Sequence, residues 1–244
     1  MTGILFSVGM GIPRWHSDAN KKGEFEMPAV FRYSSKKYND ALLALGNVRI
    51  GTLHDFRRDE HKKGIADVNE GKKKVSHHIP YANSQEGDSI HITALKEFGV
   101  IDLQSGINAV FDNCSMEQEF NHPDCFVHCA SFQYSFQAMS QFEGADSCVE
   151  IPDAVALYQR LTQTLHSIVP VRFQTLTKVR YMERYEDWNG RDWGVHPALI
   201  KEPIFTPQVE VRAIWAPMFS GEISPIVIND IGLLQFCKSR PVPR

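Results

Sequence analysis

AVFRYSSKKYNDALLALGNVRIGTL, residues 29–53, decides the fold class. Ala29-Val-Phe-Arg-Tyr33 is a short apolar run broken by one cation, which reads as a strand. Ser34 and Ser35 can cap a helix over about Lys37 to Leu45, where Tyr38, Leu42 and Leu45 fall on one apolar stripe. Gly46-Asn47 ends that helix, because glycine accepts the left-handed conformation of a C-terminal cap. Val48 to Leu53 then forms the next strand.

Working outward, short strands are expected at Ser89–Thr93, Gly99–Asp102, Asn108–Phe111, Cys125–Phe132, Ser147–Ile151, Lys178–Met182, Gln208–Trp215 and Pro225–Asn229. Pro152-Asp153 opens a second amphipathic helix with Val155, Leu157, Tyr158, Leu161 and Leu165 on its apolar side, and Pro170 stops it. Many short strands with two main helices predict an α+β fold, a compact mixed and mainly antiparallel sheet domain. Neither a GxGxxG nor a GKT phosphate loop is present. Residues 1–28 are expected to form an N-terminal arm and 29–244 a single α+β domain. Within it, 54–87 is polar, of both charge signs, and is expected to be a long charged loop.

The 244 residues carry 26 Lys and Arg against 29 Asp and Glu, a formal charge of −3, so nucleic acid is not the favoured partner. Lys62-Lys63 and Lys72-Lys73-Lys74 could still touch phosphates, although Asp59, Glu60, Asp67 and Glu70 offset them. No apolar run reaches the ~18 residues that cross a bilayer, and no membrane partner is expected. Five cysteines, an odd number without a dense framework, read as reduced thiols of a cytoplasmic protein. The string His122-Pro-Asp-Cys125-Phe-Val-His128-Cys129 has metal-ligand residue types. Strand alternation, however, sends His128 and Cys129 to opposite faces, and no metal is expected.

Three strands carry a polar residue where their neighbours call for burial. Arg32 lies within Val30-Phe31-Arg32-Tyr33, and its planar fork suits a carboxylate or phosphate. Ser131 closes Cys129-Ala-Ser and precedes Tyr134, a small hydroxyl beside rings that suit a pocket floor. Glu210 shares a strand face with Arg212 and Ile214, so it either pairs with Arg212 at the surface or points into a cleft as a catalytic carboxylate.

The blocks Phe31-Arg-Tyr-Ser-Ser35 and Ile50-Gly-Thr-Leu-His-Asp-Phe-Arg57, with Cys129-Ala-Ser131 and Glu210-Val-Arg212, resemble a bacterial and phage-borne family of unknown function. Their order is also similar to the ADP-ribosyltransferase superfamily, in which an arginine strand, a hydroxyl strand and an acid strand follow one another. That resemblance implies NAD as a small-molecule nucleotide substrate, consumed by ADP-ribosyl transfer to a macromolecular acceptor or by NAD glycohydrolysis, and a setting in phage-host conflict. It implies that Arg32 anchors the NAD phosphates or ribose, Ser131 orders the pocket, and Tyr33 or Tyr134 stacks on nicotinamide. Glu210 then stabilises the oxocarbenium-like charge as nicotinamide leaves. Gln208-Val209-Glu210 replaces the E-x-E pair of arginine-directed toxins, and Ala130-Ser131-Phe132 replaces a Ser-Thr-Ser strand. A non-catalytic nucleotide- or partner-binding module of a phage or defence system is the alternative.

Overall fold

The computed structural model describes residues 27–58, 66–85, 89–101 and 108–244. The chain runs β1 (Val30–Ser34), α1 (Lys36–Leu45), β2 (Asn47–Thr52), β3 (Lys72–Asn83), α2 (Ile90–Glu97), β4 (Val110–Asn121), β5 (Phe126–Ser131), α3 (Phe136–Met139) and β6 (Ser147–Ile151). It continues with α4 (Ala154–Ile168), β7 (Val171–Lys178), β8 (Arg180–Tyr181), β9 (Tyr185–Asp187), β10 (Ile200–Lys201), β11 (Glu210–Pro217), β12 (Ile226–Asn229) and β13 (Lys238–Arg240). The architecture is α+β and mainly antiparallel, as the strand patterns predict. No helix among the described residues is long and apolar enough to cross a membrane.

The chain forms two compact units, the smaller including Lys72–Asn121 and Arg184–Pro197, the larger including His122–Glu183 and Ala198–Arg244. Within 54–87, read as one long charged loop, residues Lys72–Asn83 are instead the strand β3. In the smaller unit β3 lies between β4 and β9. Its lysines are absorbed there: Lys73 is buried and paired with Glu186, while Lys74 meets Glu117 and Glu119. Lys73 and Lys74, weighed as phosphate contacts offset by nearby acids, are therefore offset by Glu186, Glu117 and Glu119, and Lys62-Lys63 lie outside the described residues. Ser89–Thr93, read as a strand, instead caps and begins helix α2, the Ser89 side chain accepting from Ile92 N. Ile92 and Leu95, three apart, bury one face of it against Ile79.

In the larger unit an eight-stranded sheet runs β12-β2-β5-β1-β6-β13, with β11 on β5 and β7 beyond it. One face packs Phe126, Ala130, Val211, Ala213 and Trp215 against Leu157, Tyr158, Leu161 and Leu165 of α4. Asp153 caps α4 by accepting from Ala156 N at 2.9 Å. Ser35 stands at the start of α1 without a side-chain cap bond. Gly46 ends α1 at φ 64, and a Cβ there would fall 1.8 Å from the Asp230 carbonyl oxygen, so only glycine fits.

The sheet splits at β5. Along one edge β5 pairs with β11 from Phe126 to Ser131. Along the other it registers with β1 at Phe31↔Ser131 and with β2 at Thr52↔Phe126 and Gly51↔Val127. β1 leaves to pair with β6 and β2 leaves to pair with β12. His128, Cys129 and Ala130 therefore border a fork, and α1 joins its diverging ends from Ser34 to Asn47.

Candidate functional site

The fork opens into a cavity of about 600 Å³. Its walls include Arg32 and Tyr33 of β1, Arg49 of β2, His128 to Ser131 of β5, Glu210 and Arg212 of β11, and Lys201 and Glu70. Four of the residues singled out from the sequence, Arg32, Tyr33, Ser131 and Glu210, are thus brought together. Tyr134 is not among the lining residues: its ring packs on Phe31 at 5.3 Å and its hydroxyl donates to the Pro241 carbonyl. Ser131 is committed to the backbone, donating to Gln208 O at 2.7 Å and accepting from Gln133 N at 3.1 Å. It braces the start of β11.

Directly opposed residues of antiparallel strands share a face. Phe31, Ser131 and Glu210 are opposed in sequence across β1, β5 and β11, and Arg212 opposes Cys129. Glu210 therefore lies on the face away from α4. Arg32, next to Phe31, lies on the α4 face with Val30 and His128. The two charges reach one cavity from opposite sides of the fork rather than facing each other across a flat floor.

Glu210 belongs to a buried cluster of four. Arg212, 0% exposed, donates from Nε to Glu210 Oε1 at 2.8 Å and from Nη1 and Nη2 to the two oxygens of Glu70 at 2.8 and 3.2 Å. Its Nη1 also reaches the Ala198 carbonyl at 2.6 Å. Lys201 Nζ donates to Glu210 Oε2 at 2.7 Å and to Gln208 Oε1 at 2.6 Å. Glu70, Glu210 and Lys201 are 1%, 3% and 4% exposed. Two anions and two cations cancel, which is what makes their joint burial tolerable. The surface pair that alternation allowed for Glu210 and Arg212 is in fact an interior one.

Burial pushes the Glu210 carboxyl up, but Arg212, then Lys201 and the hydrogen bonds of Lys201 and Cys129, outweigh it and hold the group at about 2. Its folded value lies below the ordinary 4.5, so its stabilisation is present above that value and is lost as pH falls toward 2. The loss is on the order of 3 kcal/mol. Urea midpoints are expected to fall steeply between about pH 4.5 and 2, part of the slope coming from Asp230, which Arg160 also holds at about 2. Glu210→Gln is expected to flatten that slope. An unchanged slope would mean that Glu210 titrates normally.

On the other side of the fork, Arg32 donates to Asn39 Oδ1 at 3.0 Å and more weakly to Tyr38 O at 3.5 Å. Both acceptors are neutral, and Arg32 has no carboxylate partner among the described residues. Burial lowers its pKa. The Asn39 side chain is buried and its Nδ2 has no hydrogen-bond partner among them either. His128 Nδ1 lies 3.0 Å from the Tyr158 hydroxyl of α4. Burial first, then Arg32, hold the imidazole near 3, so it lines the cavity uncharged. Cys129, on the opposite face as alternation predicts, is a thiol that burial and then Glu210 push well up, unsuited to nucleophilic work. Among the described residues no three His, Cys, Asp or Glu side chains cluster as metal ligands.

Glu70, Lys201 and His128 were not proposed from sequence as members of this site. A lysine closing Ala198-Leu-Ile-Lys201 carries a faint signal, a cation in an apolar run. No protein-family model, curated protein or solved structure matches the chain.

Proposed function

We propose that this chain is an NAD-consuming enzyme of ADP-ribosyltransferase type, cleaving the nicotinamide–ribose bond and passing ADP-ribose to a macromolecular acceptor or to water. The observation that carries the reading is a guanidinium without a carboxylate partner among the described residues and a carboxylate that stays ionised, lining one cavity of about 600 Å³. That volume lies within the range of small-molecule sites.

Cleavage develops positive charge on the ribose while the pyrophosphate stays negative. A ligand charged oppositely at its two ends suits a cavity with a cation on one side of the fork and an anion on the other. Arg32 serves as the anion anchor, its planar fork matching phosphate oxygens. Glu210 is already ionised and held in place, so it offers its charge to the oxocarbenium-like state without reorganisation. The uncharged His128 adds no charge of its own to the cavity.

One observation favours a second reading, a binding module without chemistry. Both Glu210 oxygens already accept from cations, Arg212 and Lys201. The test is incubation with NAD, following free nicotinamide, together with calorimetric titration of NAD. Wild type is expected to bind NAD and release nicotinamide, and Arg32→Ala to weaken binding roughly 10- to 100-fold. Binding without release, over a range of candidate acceptors, would favour the module. Absence of NAD binding would overturn both nucleotide readings.

A further inference from the structure

We propose that Val209 is a positioning residue, its backbone held in a disfavoured conformation in order to aim the Glu210 carboxylate. The inference rests on the role given to Glu210 above. Val209 has φ 44 and ψ 50, the left-handed region. Among the described non-glycine residues only Asn113 shares a positive φ, and asparagine tolerates it. For a β-branched residue it is an outlier, and such outliers persist only where the surroundings over-determine them.

Those surroundings are on every side of the residue. Val209 N donates to Thr206 O at 3.1 Å, and its carbonyl accepts from Phe132 N at 2.9 Å. Before it, Gln208 O accepts from Ser131 Oγ at 2.7 Å. After it, Glu210 N donates to the Tyr181 hydroxyl at 2.7 Å. The reversal at Val209 brings the side chains of Gln208 and Glu210 onto the same ammonium, that of Lys201. It also leaves Glu210 Oε1 for Arg212. Val209 caps the end of the 3₁₀ turn Pro203–Gln208, where a helix commonly ends in glycine. A glycine would take this conformation without strain, yet would let the peptide before Glu210 move.

The decisive variants are Val209→Gly and Val209→Ala, compared with wild type by thermal melting, nicotinamide release, and ¹³C NMR titration of labelled glutamate carboxyls. The Glu210 resonance is assigned by its loss in Glu210→Gln. Glycine is expected to leave the melting temperature unchanged or raise it by roughly 2 °C. It should lower kcat about tenfold at unchanged NAD affinity. The Glu210 titration should move toward the ordinary carboxyl range by about one pH unit. Alanine keeps a Cβ and the restriction on φ, so the wild-type Glu210 titration is expected with it. A glycine variant with wild-type kcat and wild-type Glu210 titration would overturn the proposal. So would an alanine variant whose titration moves as far as glycine's, because side-chain packing would then be the cause. Should wild type release no nicotinamide, the function above fails, and the titration alone decides Val209: a shift in glycine supports it, none overturns it.

Discussion

Replacing Arg212 with methionine is expected to cost about 3–5 kcal/mol of stability, the cost of breaking a buried ion cluster by removing one partner. The guanidinium spends Nη1 and Nη2 on Glu70 and Nε on Glu210, and it also satisfies the Ala198 carbonyl. Without it, two buried carboxylates are left with Lys201 alone, and of the two Lys201 meets Glu210. Glu70 then has to be protonated or hydrated in place, and either is costly. Lysine at 212 is not expected to rescue, because a single ammonium cannot supply a two-pronged contact to Glu70 and a separate one to Glu210. The double variant Arg212→Met with Glu70→Gln should recover part of the loss, since the most exposed consequence, an unpaired Glu70, is gone. Urea unfolding at constant m measures all three variants. A loss below about 1 kcal/mol for Arg212→Met would show that water reaches the cluster and that the charges behave as a surface network.

That cluster also marks where sequence reasoning stops. The period of two in β11 placed Glu210 and Arg212 on one face, and the strand-helix-strand of residues 29–53 placed Arg32 and Tyr33, because both signals are local. Glu70 is 142 residues from Arg212, and nothing near it distinguishes it from its charged neighbours. The same blindness hid β3. Lys72-Lys-Lys-Val-Ser-His-His-Ile-Pro-Tyr-Ala-Asn83 is polar by composition, yet Lys73, Val75, His77 and Ile79 alternate as the buried side. Alternation outweighs polarity there because Glu186, together with the Trp193 and Val195 carbonyls, satisfies Lys73. Helix α2 was obscured by the β-branched residues Ile90, Ile92 and Thr93, which favour strands in isolation. Its cap at Ser89 and the burial of Ile92 and Leu95 prevail instead. The fork is the least legible feature, since it depends on β1 and β2 leaving the same edge of β5 in different directions. No residue in either strand announces that departure.

Glu210→Gln is expected to lower kcat for nicotinamide release by about 10²–10³ while changing NAD affinity less than threefold, the pattern of a lost transition-state interaction. The substitution is nearly isosteric and removes only the charge. Arg212 stays bidentate to Glu70, so one cation keeps its partner. The glutamine oxygen can still accept from Arg212 Nε, but its amide nitrogen then faces the Lys201 ammonium, donor against donor. That mismatch should cost roughly 1–3 kcal/mol of stability. The rate has therefore to be read well below the melting temperature, with the folded fraction checked by circular dichroism. A structural explanation predicts that kcat tracks the folded fraction. An electrostatic one predicts a fully folded protein that binds NAD and turns it over slowly, because the ground state carries its positive charge on nicotinamide while the transition state moves it to the ribose. Nicotinamide release indifferent to the substitution would leave Glu210 a structural member of its cluster and nothing more.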